Sequence, residues 1–233
     1  WHPGQSPLMP PDSAHLLIPA ARLPGAQSSW PPHLLQWLGR AAPTDRIATE
    51  EDGPALPHEL AVARHNGLPD APGLTPWAAL ETGTVGRPCA WIKPCYWQVG
   101  AQYVALADPE TLALEAAESE ALMRAAAPYF EEDGIALAHA LPGAWLATGE
   151  VFRGLRTWSL ERAAGRPITP EMLQASTGHQ PALRRLQSEM QMLFYTQPVN
   201  DQRVARGQLP VNAFWVTGAG VLEQAHAPRP DLQ

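Results

Sequence analysis

The sequence predicts a single α/β domain, a mixed sheet flanked by helices. Three observations lead there. A short apolar run, a loop and a helical pattern follow one another near the start. The centre, from Cys89 to Ala107, is the clearest sheet material. A strongly periodic helix over Pro181–Tyr195 then precedes a second buried strand, Pro210–Thr217. No interval is both long and free of apolar anchors, so residues 14–220 read as one domain. Residues 1–13 form a flexible N-terminal arm, and residues 221–233 a loose C-terminal tail.

The elements follow in order. Residues 1–13 hold four prolines and read as extended chain. His15-Leu-Leu-Ile18 before Pro19 reads as an opening strand. Two prolines then introduce a helix with Leu34, Trp37 and Leu38 on one face. Residues 41–57 are polar and broken by Pro43, Gly53 and Pro54, which predicts a loop. Short helices follow at Pro57–Arg64 and Trp77–Leu80.

Strands are expected at Cys89–Trp91 and within Tyr96–Ala107, with Pro94 demoting the first to an edge strand or bend. Asp108 should cap a helix that runs to about Ala127, with Pro109 in its first turn and Pro128 as its stop. Ile135–Leu141 and Ala144–Ala147 read as two strands joined tightly at Gly143. Arg153–Arg162 is ambiguous between strand and helix. Thr169-Pro-Glu-Met172 is a helix start. In Pro181–Tyr195, Leu183, Leu186, Met190 and Leu193 recur on one face. Pro198 is expected to end that helix and lead into a polar turn.

Composition excludes several classes of function. Proline is frequent, at 26 of 233 residues, about twice its usual share of ~5%. With 45% apolar residues and nine tryptophans, however, the chain has ample material for a core. The net charge is −7 and Lys93 is the one lysine. Without a basic run, nucleic-acid binding is not expected. No run of about 18 apolar residues marks a membrane span. Trp1-His2-Pro3-Gly4 lacks the basic-then-apolar pattern of a secretory signal, so a cytoplasmic location is expected. Cys89 and Cys95 lie in C-x5-C spacing, which is no standard zinc pair. They read as reduced thiols near strands, with a local disulfide as the alternative. No cofactor and no metal site are expected.

Four groups of residues could carry chemistry. Arg162 and Arg166, beside Gly165, could fork onto a phosphate or carboxylate. Alternatively they pair with Glu161 or Glu150. The second group is Asn200, Arg203 and Asn212 with the Gly218-Ala-Gly220 turn, near the end of a buried strand. Ligands favour such strand ends, and glycine turns offer N–H groups to anions. An architectural polar network explains the asparagines equally well. The third group is acidic, Glu118, Glu120, Glu131, Glu132 and Asp133; paired carboxylates could perform acid/base work or hold a hard cation, but a solvated helix face and its following turn explain them more simply. The fourth is histidine: His15, His33, His58, His65, His139 and His179 are scattered, with no H-x-x-x-H. Ser159 has no G-x-S-x-G setting.

Longer blocks carry a resemblance. They include His15-Leu-Leu-Ile-Pro19, Pro94-Cys-Tyr-Trp97, Leu106-Ala-Asp-Pro109 and Pro128-Tyr-Phe-Glu-Glu-Asp-Gly134. The longest runs from Gln187 to Gly220, through Pro198-Val-Asn200, Arg203, Gly207 and Pro210-Val-Asn-Ala-Phe-Trp215. Together they resemble the RpfE-like family, proteobacterial proteins named for regulation of pathogenicity factors. The last block is also similar to part of archaeal-type cofactor-independent phosphoglycerate mutase. The matching residues would be Glu161-Arg-Ala-Ala-Gly-Arg166, Gln197-Pro-Val-Asn200, Arg203, Gly207, Pro210-Val-Asn212 and Thr217-Gly-Ala-Gly220. Gln197 replaces a histidine of that pattern, Thr217 an arginine and Ala163 another arginine. The family's opening strand ends in an Asp-Gly metal site, whereas here no acid occurs between Ala14 and Asp45. Phosphoryl transfer by that route needs two metals and their ligands.

The sequence thus favours a non-catalytic regulatory protein. The resemblance implies a link to pathogenicity factors. Its partner would be an unidentified protein or a small anionic metabolite, bound at Arg162, Arg166, Asn200, Arg203, Asn212, Gly218 and Gly220. The alternative is a metal-dependent phosphomutase- or phosphohydrolase-like enzyme acting on a small phosphorylated acid.

Overall fold

A computed structural model describes residues 32–40, 46–100, 102–173 and 180–225. The expected arm, the opening strand at His15–Ile18 and the last residues of the tail lie outside them. The described chain is α/β, with one four-stranded sheet and helices on both of its faces. Three short helices come first: α1 (Pro32–Leu38), α2 (Pro57–His65) and α3 (Trp77–Thr82). The sheet contains β1 (Cys89–Cys95), β4 (Ala136–Leu141), β5 (Ala144–Thr148) and β6 (Ala213–Gly220), in the order β4-β5-β1-β6. All its pairings are antiparallel. The parallel component expected of a mixed sheet is confined to the single bridges Val85–Leu222 and Leu106–Ala164. A separate hairpin joins β2 (Trp97–Val99) to β3 (Val104–Leu106).

Strand alternation explains the layering. Ala90 and Ile92 of β1, Trp145 and Ala147 of β5, and Phe214 of β6 point into the main core. There they meet α4 (Ala116–Glu132) and α7 (Gln180–Tyr195), which contribute Leu122, Phe130, Leu186, Met190 and Phe194. Cys89 and Trp91 point to the opposite face and pack with Ala78 and Ala79 of α3. Further along that face, Cys95 and Trp215 pack with Trp158 and Ala163. A sheet covered on both sides needs nearly continuous apolar strands, as β1 and β6 have. Three indole N–H groups in these layers find partners: Trp145 donates to Ser119 Oγ at 2.9 Å, Trp91 to Glu81 at 2.8 Å and Trp215 to the Trp158 carbonyl at 3.1 Å.

The structure corrects four local expectations. β1 is an inner strand despite Pro94. The Cys95 carbonyl accepts from the Asn212 amide at 3.1 Å, so the neighbouring Pro94 nitrogen faces the β5 side. There β5 pairs only as far as Ile92, and no partner misses the absent N–H. Pro109 opens a separate 3₁₀ turn, Pro109–Leu112, and α4 begins only at Ala116. Pro128 does not stop α4, which continues to Glu132. That last stretch buries Phe130 against Phe214, ring centroids 5.3 Å apart. Pro198 starts a helix rather than ending in a polar turn: α8 spans Pro198–Ala205. Proline at the first helical position is well placed there.

Other elements agree or differ in detail. The hairpin at Gly143 and the stripe of α7 are present, with Leu183, Leu186 and Met190 buried. Arg153–Arg162 resolves into a loop followed by α5 (Leu160–Ala163), and Pro170–Leu173 forms α6. Helix α1 is formed, but Trp37 is 72% exposed. Past β6 the chain stays attached through Leu222, whose carbonyl accepts from the Gly86 amide at 2.9 Å. Both cysteines are free and buried. Six residues of one strand separate them by ~20 Å, far beyond disulfide reach. Burial pushes the Cys89 thiol up to about 11 and raises that of Cys95 as well.

Candidate functional site

Helix α8 places the expected polar residues. Its inner face carries Asn200 and Arg203, one turn apart, and both are buried. Asn200 Nδ2 donates to the Phe194 and Val211 carbonyls at 2.7 Å each, and its Oδ1 accepts from the Val211 amide at 2.8 Å. One side chain thus ties the end of α7 to the start of β6. Arg203 is fully buried, so no solute touches it in this conformation. Its Nε donates to the Leu209 carbonyl at 2.9 Å, and its guanidinium also bonds the Leu112 carbonyl. Its Nη1 lies 2.5 Å from Glu118 Oε2.

Glu118 belongs to the expected acidic helix face, yet it is buried rather than solvated. It also accepts from the Glu115 amide at 3.1 Å and bonds Arg206. Burial alone would raise its pKa. The Glu115 amide, the Arg203 charge and the bonds to both arginines outweigh burial and hold the carboxyl below its ordinary value. The rest of the acidic group stays apart: Glu120, Glu131 and Glu132 are exposed, and Asp133 pairs with Arg185 at 2.6 Å.

Arg162 and Arg166 lie elsewhere, beside the loop before α2. Arg162 donates to the Gly53 carbonyl at 3.0 Å and the Glu50 carbonyl at 2.6 Å, and also bonds the Glu51 carbonyl. Arg166 reaches Glu51 O at 3.4 Å and Asp52 at 3.8 Å. Their partners are chiefly backbone carbonyls rather than the expected Glu161 or Glu150. Glu161 faces His58 at 3.4 Å, and Glu150 pairs with Arg153. Ser159 Oγ caps α5 by accepting from the Arg162 amide at 3.2 Å. The described part of the expected loop is therefore tied down at residues 50–53.

Gly218 and Gly220 serve close packing. Gly218 has φ +63°, and a Cβ there would lie 3.0 Å from Trp77 Cβ; one on Gly220 would lie 2.9 Å from Pro76 Cβ. Lacking Cβ atoms, they let α3 settle onto β6. Asn212 does something different. Its Oδ1 accepts from the Trp97 amide at 2.7 Å, and its Nδ2 donates to the Trp97 carbonyl at 3.0 Å. The side-chain amide thereby pairs with β2 as a neighbouring strand would.

A groove opens where Asn212 meets the hairpin. It lies between β2–β3 and helices α7 and α8. One part, of about 490 Å³, is lined by Trp97, Val99, Tyr195, Val204 and Val211, with Asn200 and Asn212 on its wall. A second part, of about 610 Å³, shares Trp97, Val104 and Gln191 and continues past Ile168, Leu173 and Arg184. Three apolar side chains stand open at the first part: Tyr195 is 83% exposed, Val99 77% and Val204 59%. The sequence pointed to Asn200 and Asn212 here, but reading α7 by its core stripe missed the apolar rim. The available signal was Tyr195, an apolar residue off the Leu183–Leu186–Met190 face of α7.

Among the described residues, no three His, Cys, Asp or Glu side chains come together as metal ligands, and no helix is long and apolar enough to cross a membrane. His15 and His179 lie outside those residues.

No family model matches the chain, and no curated protein matches it by sequence. Among solved structures it is similar to a cofactor-independent phosphoglycerate mutase from Thermoplasma acidophilum DSM 1728, with 18% identity and a TM-score of 0.44. The match covers 73% of this chain and 48% of the mutase chain, about half its length. That likeness is distant.

Proposed function

We propose that the protein is a non-catalytic binding protein that receives part of a partner protein in the groove between the β2–β3 hairpin and helices α7 and α8. The observation that carries this reading is the exposed apolar rim, Val99, Tyr195 and Val204, around a cleft of about 490 Å³. Concave sites with apolar walls and a few polar groups are where ligands bind, and clustered exposed apolar side chains mark interaction surfaces. Asn200 and Asn212, two of the residues expected from the sequence, stand on its wall. In the first part of the groove a protein partner fits better than a small anion, because the charged side chain lining it is Asp201 and the buried cation nearby, Arg203, is already bonded to Glu118. A regulatory role in the expression of pathogenicity factors joins this proposal from the sequence resemblance alone.

Site-specific photo-crosslinking tests it. A benzoylphenylalanine at Tyr195 should give a discrete adduct in the cells that express the protein, and one at exposed Arg124 should not. The adduct should vanish when Val204→Glu is added. Equal labelling at both positions, or an adduct indifferent to Val204→Glu, would sink the proposal. Metal-supplemented protein should show no turnover of phosphoglycerate.

A further inference from the structure

The hairpin beside the groove has an open strand edge. In the β2–β3 ladder, Gly100 donates to the Tyr103 carbonyl at 2.8 Å and Ala107 to the Tyr96 carbonyl at 3.0 Å. Antiparallel pairs alternate between bonded and unbonded, so Trp97 and Val99 turn their backbone groups away from β3. Leu106 and Val104, their opposite numbers, confirm this alternation by bonding outward to Gly165 at 2.8 Å and Ile168 at 2.7 Å. Asn212 closes the Trp97 groups. The Val99 N–H and C=O point the same way and have no partner among the described residues. They face the groove that Val99 itself lines.

The groove is also polarised. Asp201 lines its first part and Arg184 its second. Neither side chain has an ion-pair or hydrogen-bond partner among the described residues. Between them the walls are apolar and amide-bearing. Helix α7 rises ~16 Å from Arg184 to Tyr195 at ~1.5 Å per residue. About five extended residues, at ~3.3 Å each, would span it.

We infer that the groove takes an extended peptide segment of a partner protein by strand addition. The segment pairs with the Val99 backbone, lays apolar side chains over Trp97 and Tyr195, and places a basic residue at Asp201 and an acidic one at Arg184. Strand addition gives affinity through main-chain bonds and selectivity through side-chain pockets. This inference rests on the groove reading above and specifies its occupant.

The test is selection of displayed random heptapeptides on the full chain. Enriched peptides should have an apolar, β-branched or aromatic centre, with a basic residue at one end and an acidic one at the other. Asp201→Lys combined with Arg184→Glu should enrich the reversed charge order. N-methylation of a central amide should weaken an enriched peptide at least tenfold. Peptides lost on Val204→Glu but indifferent to N-methylation and to the charge swap would overturn strand addition while leaving the groove as a binding site. Peptides indifferent to Val204→Glu would overturn both. Failure to enrich any peptide overturns this inference, and the crosslinking result decides separately whether the groove receives protein.

Discussion

The two faces of helix α8 invert the usual arrangement. Its inner face is polar and buried, with Asn200 and Arg203 bonded to the chain around them. Its outer face presents Asp201 and Val204 to the groove, and Val204 is largely exposed. An amphipathic surface helix ordinarily buries its apolar stripe. Here Val199 still packs against the core, but the buried positions are the bonded Asn200 and Arg203, which leaves Val204 available for a partner. Buried polar groups support a fold only when their bonds are made, so the two faces should respond oppositely to substitution.

The largest effect is expected on the inner face. Arg203→Ala would leave the Glu118 carboxylate buried beside only Arg206, and should cost ~3–5 kcal/mol of unfolding free energy. Urea denaturation measures this. Arg203→Met combined with Glu118→Leu removes both charges and should recover most of the loss. If the double variant is as unstable as Arg203→Ala, the carbonyl bonds to Leu112 and Leu209 dominate instead. Next in size, Asn200→Ala strips the Val211 amide and the Phe194 and Val211 carbonyls of their partner. It should cost ~1–3 kcal/mol, with the denaturation midpoint lowered and the slope unchanged.

The same contrast explains what could be read from the sequence. The α7 stripe of Leu183, Leu186 and Met190 is apolar at helical spacing, and the strands β1 and β6 are nearly continuous apolar runs. Burial of apolar side chains sets these elements, so periodicity finds them. Helix α8 escaped because its buried positions are Asn and Arg, which an apolar count discards. Its local signals were nonetheless present: Pro198 at the first position, Asp201 in the first turn and Gly207 just beyond the end. Pro94 and Pro128 misled because proline's cost depends on whether its N–H is needed. That turns on where β5 ends and on what Phe130 packs against. The groove was illegible for a different reason: it brings residues 97–104 together with 191–211, and no local pattern records that meeting.

Acidity should separate the faces more gently. The depressed pKa of Glu118 means that folding favours its ionised form. The sign follows from linkage: this stability is fully present above the ordinary glutamate value of about 4.3 and is lost as pH falls through the lower folded value. The urea midpoint should therefore decline below about pH 4.3, the ordinary glutamate value, and Glu118→Gln should flatten that part of the decline. An unchanged acid limb in Glu118→Gln would show that the pair with Arg203 does not control it.

The smallest effect on folding should come from the outer face, and it sharpens the comparison most. Val204→Ser removes an apolar side chain that is already 59% exposed, so unfolding free energy should move by less than ~0.5 kcal/mol. The proposed use of the groove requires that the same substitution weaken capture of a groove-binding peptide severalfold, since apolar area buried on binding is lost. A variant that folds normally and binds normally would remove the functional meaning of the exposed face. A variant that unfolds more easily would show that Val204 belongs to the core after all, and the inversion across α8 would dissolve.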